Sequence, residues 1–98
     1  MLEIDKVLQL KEEFLLYQLD VGEGMFRLFN IENGDSFKLN ETSYYMLSLF
    51  DGKMKIGEIQ KCVLEEYHDI DPDAVTGDFE ELLERMKKNN IFKQRKAN

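Results

Sequence analysis

Apolar residues between Phe14 and Leu39 fall into three short runs separated by turn-forming residues, a pattern typical of a small antiparallel meander. The first run predicts a strand from Leu15 to Asp20, followed by a turn at Gly22-Glu23-Gly24. The second run, Met25 to Ile31, alternates between two faces that both carry apolar side chains. We therefore predict that the second run is the central strand of the sheet.

A hairpin is predicted at Asn33-Gly34, since both residues tolerate the positive φ that a type I′ turn requires. The third strand, Asp35 to Leu39, then pairs back on the second, and its outer edge has no obvious partner in the sequence. An open edge carries unpaired N–H and C=O groups that another chain can bind. We therefore predict weak homodimers through this edge.

From Asn40 onward the spacing of apolar residues changes from two to about 3.6, which indicates helices. Asn40 is a good N-cap for the first helix, and Asp51-Gly52 is predicted to end it. The second helix is predicted from Lys55 to Tyr67, where Ile59 and Val63 repeat at helical spacing. Both helices present one apolar stripe.

The third predicted helix begins after Asp71-Pro72, a cap followed by proline at the first helical position, and runs to about Lys88. Asn89-Asn90 can adopt the left-handed conformation that closes a helix, so that Ile91-Phe92 folds back on the core. Strands followed by helices without alternation indicate an α+β fold, a three-stranded antiparallel sheet followed by three helices. The predicted buried stripe of the third helix is Val75, Phe79, Leu82 and Met86.

The chain has 98 residues, enough for one domain, with a predicted core at 14–92 and a basic tail at 93–98. No apolar run approaches the roughly 20 residues that cross a bilayer, and the first residues lack the basic start of a secretory signal. Cys62, the one cysteine, can form no internal disulfide. A cytoplasmic protein without membrane contact is expected.

Charge is unevenly distributed along the chain, whose net charge is −7. Residues 1–84 hold 20 acidic and 7 basic residues, whereas residues 85–98 hold six basic residues and no acid. An acidic body repels nucleic acid, so a nucleic-acid partner is not expected. The basic end either attracts acidic surfaces or only complements the helix dipole and continues as a solvated tail.

Residues for catalysis are sparse in this sequence. His68 lies in a predicted loop, Cys62 has no histidine nearby in the sequence, and no pair of cysteines is spaced for zinc. The alternating aspartates around Pro72 lack the glycine of a calcium loop, and Gly22-Glu23-Gly24 lacks the further glycine of a dinucleotide loop. We therefore expect no enzyme activity, no metal and no cofactor.

The order Leu39-Asn40, Met46-Leu47 and Asp51-Gly52, followed by the apolar stripes of two helices, resembles the pattern of PqqD-like proteins. The resemblance covers residues 14–92. Lys55 and Gly57 stand where the family commonly has threonine and glutamate, and Asn90 replaces the usual closing glycine. This family, the RiPP recognition elements, resembles a winged helix-turn-helix.

The resemblance implies that the leader of a ribosomally made precursor peptide adds a strand to the third strand and lies against the third helix. Leu83 is favoured as a peptide contact because it lies off the main buried stripe. The implied peptide-binding residues are Ser36, Phe37, Lys38 and Leu39 on the edge, and Val75, Phe79, Leu82, Leu83, Met86 and Lys87 on the helix.

The resemblance further implies a peptide chaperone in RiPP or cofactor biosynthesis, which presents the leader to a modifying enzyme. A radical SAM maturase or a leader protease would be the usual partner. A winged-helix DNA-binding protein is one alternative, although the second and third predicted helices are acidic rather than basic. The other alternative is a protein–protein adaptor that binds no leader peptide.

Overall fold

The computed structural model describes residues 4–19 and 25–95. The predicted turn at Gly22-Glu23-Gly24 and residues 96–98 of the predicted tail lie outside the described residues. The predicted α+β class, with an antiparallel three-stranded sheet and three helices, is confirmed. The strands are β1 (Val7–Leu10), β2 (Phe14–Leu19), β3 (Met25–Asn30), β4 (Ser36–Leu39), β5 (Asp51–Lys55) and β6 (Phe92–Arg95), and the helices are α1 (Glu41–Ser48), α2 (Ile56–Glu66) and α3 (Pro72–Lys88).

The predicted meander is the antiparallel sheet β2-β3-β4, and β3 is its central strand, as its apolar residues on both faces indicate. Phe26 and Leu28 point into the core, where both are buried. Arg27 and Phe29 lie half-buried on the other face. Alternate residues of β3 therefore form the core-facing side of this sheet.

The turn between β3 and β4 differs from the predicted type I′ hairpin. Gly34 has a positive φ of 82°, but Asn33 does not share it. Instead, the side-chain oxygen of Asn30 accepts hydrogen bonds from the main-chain nitrogens of Glu32, at 2.9 Å, and Asn33, at 3.3 Å. An Asx-type turn holds the start of the five-residue loop between β3 and β4, and only its glycine needs the left-handed conformation.

α1 and α3 begin at the residues that the sequence indicated. The side chain of Asn40 accepts from the main-chain nitrogen of Ser43 at 2.7 Å and caps α1. Asp71 caps α3, and Pro72 occupies its first turn. Asn90 has a φ of 58° after the last turn of α3, which confirms the predicted left-handed closure.

A second sheet, of order β5-β1-β6, was not predicted. Asp51-Gly52 was predicted to end the first helix, but α1 already ends at Ser48 and Asp51 begins β5, in which Gly52 has a φ of 80°. A Cβ there would lie 2.6 Å from Oε1 of Gln9, so the Gln9 side chain would have to move to admit any other residue. The three strands are short, and their partners lie far apart in the sequence.

The basic tail predicted for 93–98 is wrong for residues 93–95, because they belong to β6 and pair with β1. Val7 lies opposite Arg95 and Leu10 opposite Phe92 in this antiparallel ladder. Lys93 donates from Nζ to Oε1 of Glu12 at 2.6 Å, and this contact lowers the pKa of the glutamate. The end of the described chain is therefore a structural strand.

Both sheets and all three helices share one core, and the predicted return of Ile91-Phe92 onto it is confirmed. Ile91 is fully buried, and Phe50 packs between the rings of Phe79 and Phe92. Among residues 4–19 and 25–95, no helix is long and apolar enough to cross a membrane.

Candidate functional site

The outer edge of β4 is open, since among the described residues β4 pairs only with β3. The main-chain nitrogen of Asn30 donates to the carbonyl oxygen of Asp35 at 2.8 Å. Bonded and non-bonded pairs alternate along an antiparallel ladder, so Phe37, two residues on, also bonds inward to β3. The main-chain groups of Ser36 and Lys38 therefore face outward, and we refer to them as the open edge.

The side chains of β4 alternate between solvent and the core. Ser36 and Lys38 are exposed, whereas Phe37 is half-buried and Leu39 is buried in the core. The strand is thus fixed to the body by its inward side chains. An extended peptide could pair with the open edge without displacing any core residue.

A cavity of about 200 Å³ lies between the N-terminal end of α1 and the middle of α3. Asn40 directly follows Leu39 of β4 and lines this cavity, so the cavity lies at the C-terminal end of β4. Met46 and Leu82, both buried, supply its apolar floor. We call it the α1–α3 cavity, and its lining consists of Asn40, Thr42, Ser43, Met46, Asp78, Glu81, Leu82 and Arg85.

The rim of the α1–α3 cavity is polar and carries both charge signs. Asp78, Glu81 and Arg85 stand at spacings of three and four on one flank of α3, next to the buried stripe. None of the three has an ion pair among the described residues. The rim can therefore accept hydrogen bonds through two carboxylates and donate them through one guanidinium.

Sequence reasoning placed five apolar residues of α3 at the peptide, and all five are buried in the core. Only Leu82 among them lines the α1–α3 cavity. Leu83 is 3% exposed, so the expectation that it lies off the buried stripe is wrong. The buried stripe is wider than predicted because both α1 and α2 pack against α3. The five residues are Val75, Phe79, Leu82, Leu83 and Met86.

Lys87, also predicted at the peptide, lies elsewhere. It lines a second cavity of about 360 Å³, which we call the β1–β6 cavity, together with Leu8 of β1 and Phe92 of β6. On a helix, residues two apart point in nearly opposite directions, so Lys87 and Arg85 lie on different flanks of α3. The structure therefore separates Lys87 from the open edge.

The cavity residues of α1 and the charged flank of α3 were missed at the sequence level. The spacing of Asp78, Glu81 and Arg85 was visible, but it is also the spacing of ordinary surface ion pairs on a helix. Only the approach of α1 to α3 turns this flank into a cavity wall. For metal binding, no cluster of three His, Cys, Asp or Glu side chains occurs among the described residues.

Comparison with protein families finds a match to coenzyme PQQ synthesis protein D (PqqD) over residues 26–91. Two solved structures share the fold, each with a TM-score of 0.68. One is TbiB1 in complex with the TbiA(beta) leader peptide, which is 18% identical, with 87% of this chain and 94% of that chain covered. The other is lasso peptide synthetase B1 complexed with the leader peptide, 17% identical, with 89% and 98% covered. No curated protein matches the sequence.

Proposed function

The chain belongs to the PqqD family, and from this premise we propose that it binds the leader of a ribosomally made precursor peptide and presents it to a modifying enzyme. The observation that carries the proposal is the open edge of β4, with the α1–α3 cavity at the end of the same strand. Both structural neighbours are complexes with leader peptides, which supports the same assignment.

Binding proceeds by strand addition. An extended leader pairs antiparallel or parallel with the open edge, and the outward main-chain groups of Ser36 and Lys38 exchange hydrogen bonds with it. These bonds contribute affinity whatever the sequence of the leader. They also require an extended peptide, which excludes helical segments from the edge.

Selection among leaders comes from side chains beyond the edge. An apolar leader residue fits over Met46 and Leu82, and a polar or charged neighbour meets Asp78, Glu81 or Arg85 at the rim. Phe37, half-buried beside this path, adds an apolar surface. The buried residues Val75, Phe79, Leu83 and Met86 support the groove from within the core rather than contact the peptide.

The chain acts as a carrier and performs no chemistry in this proposal, consistent with a family of non-catalytic binding proteins. When the carrier holds both leader and enzyme, the precursor meets the enzyme at a high effective concentration, so modification becomes effectively intramolecular. A radical SAM maturase or a leader protease is the expected enzyme class, and the carrier itself needs no cofactor.

A DNA-binding function would require a basic helix that fits the major groove. Exposed glutamates on α2 and α3, such as Glu65 and Glu81, would instead repel the phosphate backbone. An adaptor without any leader peptide is the other alternative. The leader titration below separates it from the proposed function.

The test is a titration of the isotope-labelled chain with the leader of the precursor peptide encoded beside its gene. We expect amide shifts concentrated in Ser36–Leu39 and along the charged flank of α3, because an added strand changes the surroundings of the edge it pairs with. Shifts confined to other surfaces would contradict strand addition. If the leader causes no amide shifts while the modifying enzyme does, the chain is an adaptor that binds no leader peptide.

A further inference from the structure

The outer face of the β2-β3-β4 sheet is the side that points away from the core. Two rows of side chains cross this face, and each row ends at the open edge. The first row is uncharged, whereas the second carries two basic residues. The rows are Leu15, Phe29 and Ser36, and Tyr17, Arg27 and Lys38.

Arg27 and Lys38 lie directly opposite each other on β3 and β4. The main-chain nitrogen of Asn30 donates to Asp35 across the same two strands, so the pair three residues away is a non-bonded pair. Non-bonded pairs bring side chains closer together, with Cα atoms about 4.5 Å apart. Like charges that face each other in this way destabilise a sheet.

Neither charge is compensated within the described part of the chain. β2, β3 and β4 contain no acidic residue. Arg27 and Lys38 have no ion pair among residues 4–19 and 25–95, and Lys38 is exposed. Glu13 bonds to Ile31, four residues beyond Arg27 on the same strand direction and therefore about 13 Å away. A chain with 20 acidic residues thus keeps a local excess of positive charge beside the open edge.

We propose that the leader carries an aspartate or glutamate directly opposite Lys38, where its carboxylate extends the second row. The identity of the added strand rests on the proposed function, whereas the charge of this residue follows from Arg27 and Lys38. In a strand added to β4, the side chain opposite Lys38 lies on the outer face whether the strand is parallel or antiparallel. The carboxylate then lies beside Lys38 and two strand spacings, or roughly 10 Å, from Arg27.

A charge at this one position also determines the register of the leader. Main-chain hydrogen bonds form equally well when the leader slides by two residues, because the same side chains stay turned toward the core. Such a slide moves the carboxylate from Lys38 to Ser36, which belongs to the uncharged row. The acidic residue therefore selects one register, in which its two neighbours lie on the same side of the sheet as Phe37 and Leu39.

The test uses the labelled full chain and two synthetic heptapeptides blocked at both ends, which are longer than the four residues of β4. One peptide alternates valine with glutamate and the other valine with lysine, with valine at both termini. We expect the glutamate peptide to shift the amides of Ser36–Leu39 and to bind roughly threefold to fivefold more tightly than the lysine peptide.

The net charge of −7 acts in the opposite direction, because it attracts the lysine peptide to the chain as a whole. Equal or tighter binding of the lysine peptide would therefore overturn the proposal. The absence of shifts at Ser36–Leu39 with both peptides would overturn it as well.

Lys38→Glu should reverse the preference, so that the lysine peptide binds more tightly. The charge is reversed rather than removed because one exposed charge changes affinity by only about twofold. Lys61→Glu makes the same change of charge at an exposed position of α2, outside the sheet, and is the matched control. It should leave the preference for glutamate unchanged. An equal change of preference in both variants would overturn the proposal, since net charge would then explain binding.

Titration with the leader of the precursor encoded beside the gene keeps the two proposals apart. Its acidic residues are replaced by lysine one at a time, and we expect one replacement to weaken binding and Lys38→Glu to restore it. Leader binding at Ser36–Leu39 without any such restoration would refute the charge selection and keep the proposed function. A glutamate peptide that binds there with the expected preference, while the leader causes no shift, would refute the proposed function and keep a charge-selective edge.

Discussion

Phe50 stacks against Phe92 with ring centroids 4.7 Å apart and ring planes inclined by 36°. This contact joins the segment after α1 to β6, so β6 is packed onto the core through Phe92. Phe92 also lines the β1–β6 cavity, where its ring forms part of the floor. One contact thus links stability of the second sheet to the shape of that cavity.

Phe92→Ala should lower the free energy of unfolding by about 2 to 4 kcal/mol, because it leaves a cavity beside Phe50 and removes packing from β6. Chemical denaturation monitored by circular dichroism measures the change. Gln94→Ala, on the same strand and exposed, is the control and should change stability by less than about 0.5 kcal/mol. Equal, small effects of both variants would show that β6 contributes little to the fold.

Lys38→Pro should weaken leader binding about tenfold, because proline removes an outward N–H that strand addition uses. The fold should persist, since that N–H makes no bond to β3. Lys38→Ala removes the same side chain but retains the N–H, so it should bind the leader nearly normally. Calorimetric titration measures the leader affinity of both variants. A similar loss of affinity in the two would assign the effect to the side chain.

Leu83→Ala should destabilise the protein by about 2 to 5 kcal/mol, as truncation of a buried leucine does elsewhere. Leu15 lies on the outer face of β2 with 54% of its surface exposed. Leu15→Ala is therefore the comparison and should lower the free energy of unfolding far less. Thermal and chemical unfolding measure both. If Leu83→Ala retained full stability but lost leader binding, Leu83 would be a peptide contact after all.

The carboxylate of Asp51 should contribute to stability in a pH-dependent way. A hydrogen bond from the main-chain nitrogen of Lys53, together with one from Met54, lowers the pKa of Asp51 below its ordinary value of 3.8. The contribution is therefore present above pH 3.8 and is lost as the pH falls through the lowered folded pKa.

Asp51→Asn keeps an acceptor oxygen but carries no charge, so the stability difference between the two proteins should shrink as the pH falls below about 4. Unfolding in denaturant at a series of pH values measures this difference. A difference that stays constant down to about pH 2 would mean that the charge of Asp51 does not stabilise the start of β5.

The helices and the meander could be predicted because their signals are local. Asn40 and Asp71 bond to main-chain nitrogens two or three residues away, and Asn90 closes α3 through its own backbone conformation. The alternation of β3 is likewise contained within six residues. Such features are set by neighbours along the chain, so the sequence displays them directly.

The second sheet depends on contacts that the sequence does not display. β1 has four residues, too few for a periodic signal, and it pairs with strands that begin more than forty and more than eighty residues later in the chain.

The family pattern indicated that β4 is the strand that binds the peptide. Alternation in the ladder then determines that the main-chain groups of Ser36 and Lys38 face outward.

The sequence by itself determined the α+β class, the starts of α1 and α3, the closure of α3 and the strand that carries the open edge, because each depends on local conformation. Tertiary structure alone decided that Leu83 is buried, that Lys87 belongs to a second cavity, and that β6 is part of a sheet. The physical reason is that the apolar spacing of a helix shows only that a stripe is buried. The width of that stripe, and what lies on its two flanks, depends on how distant segments pack around it.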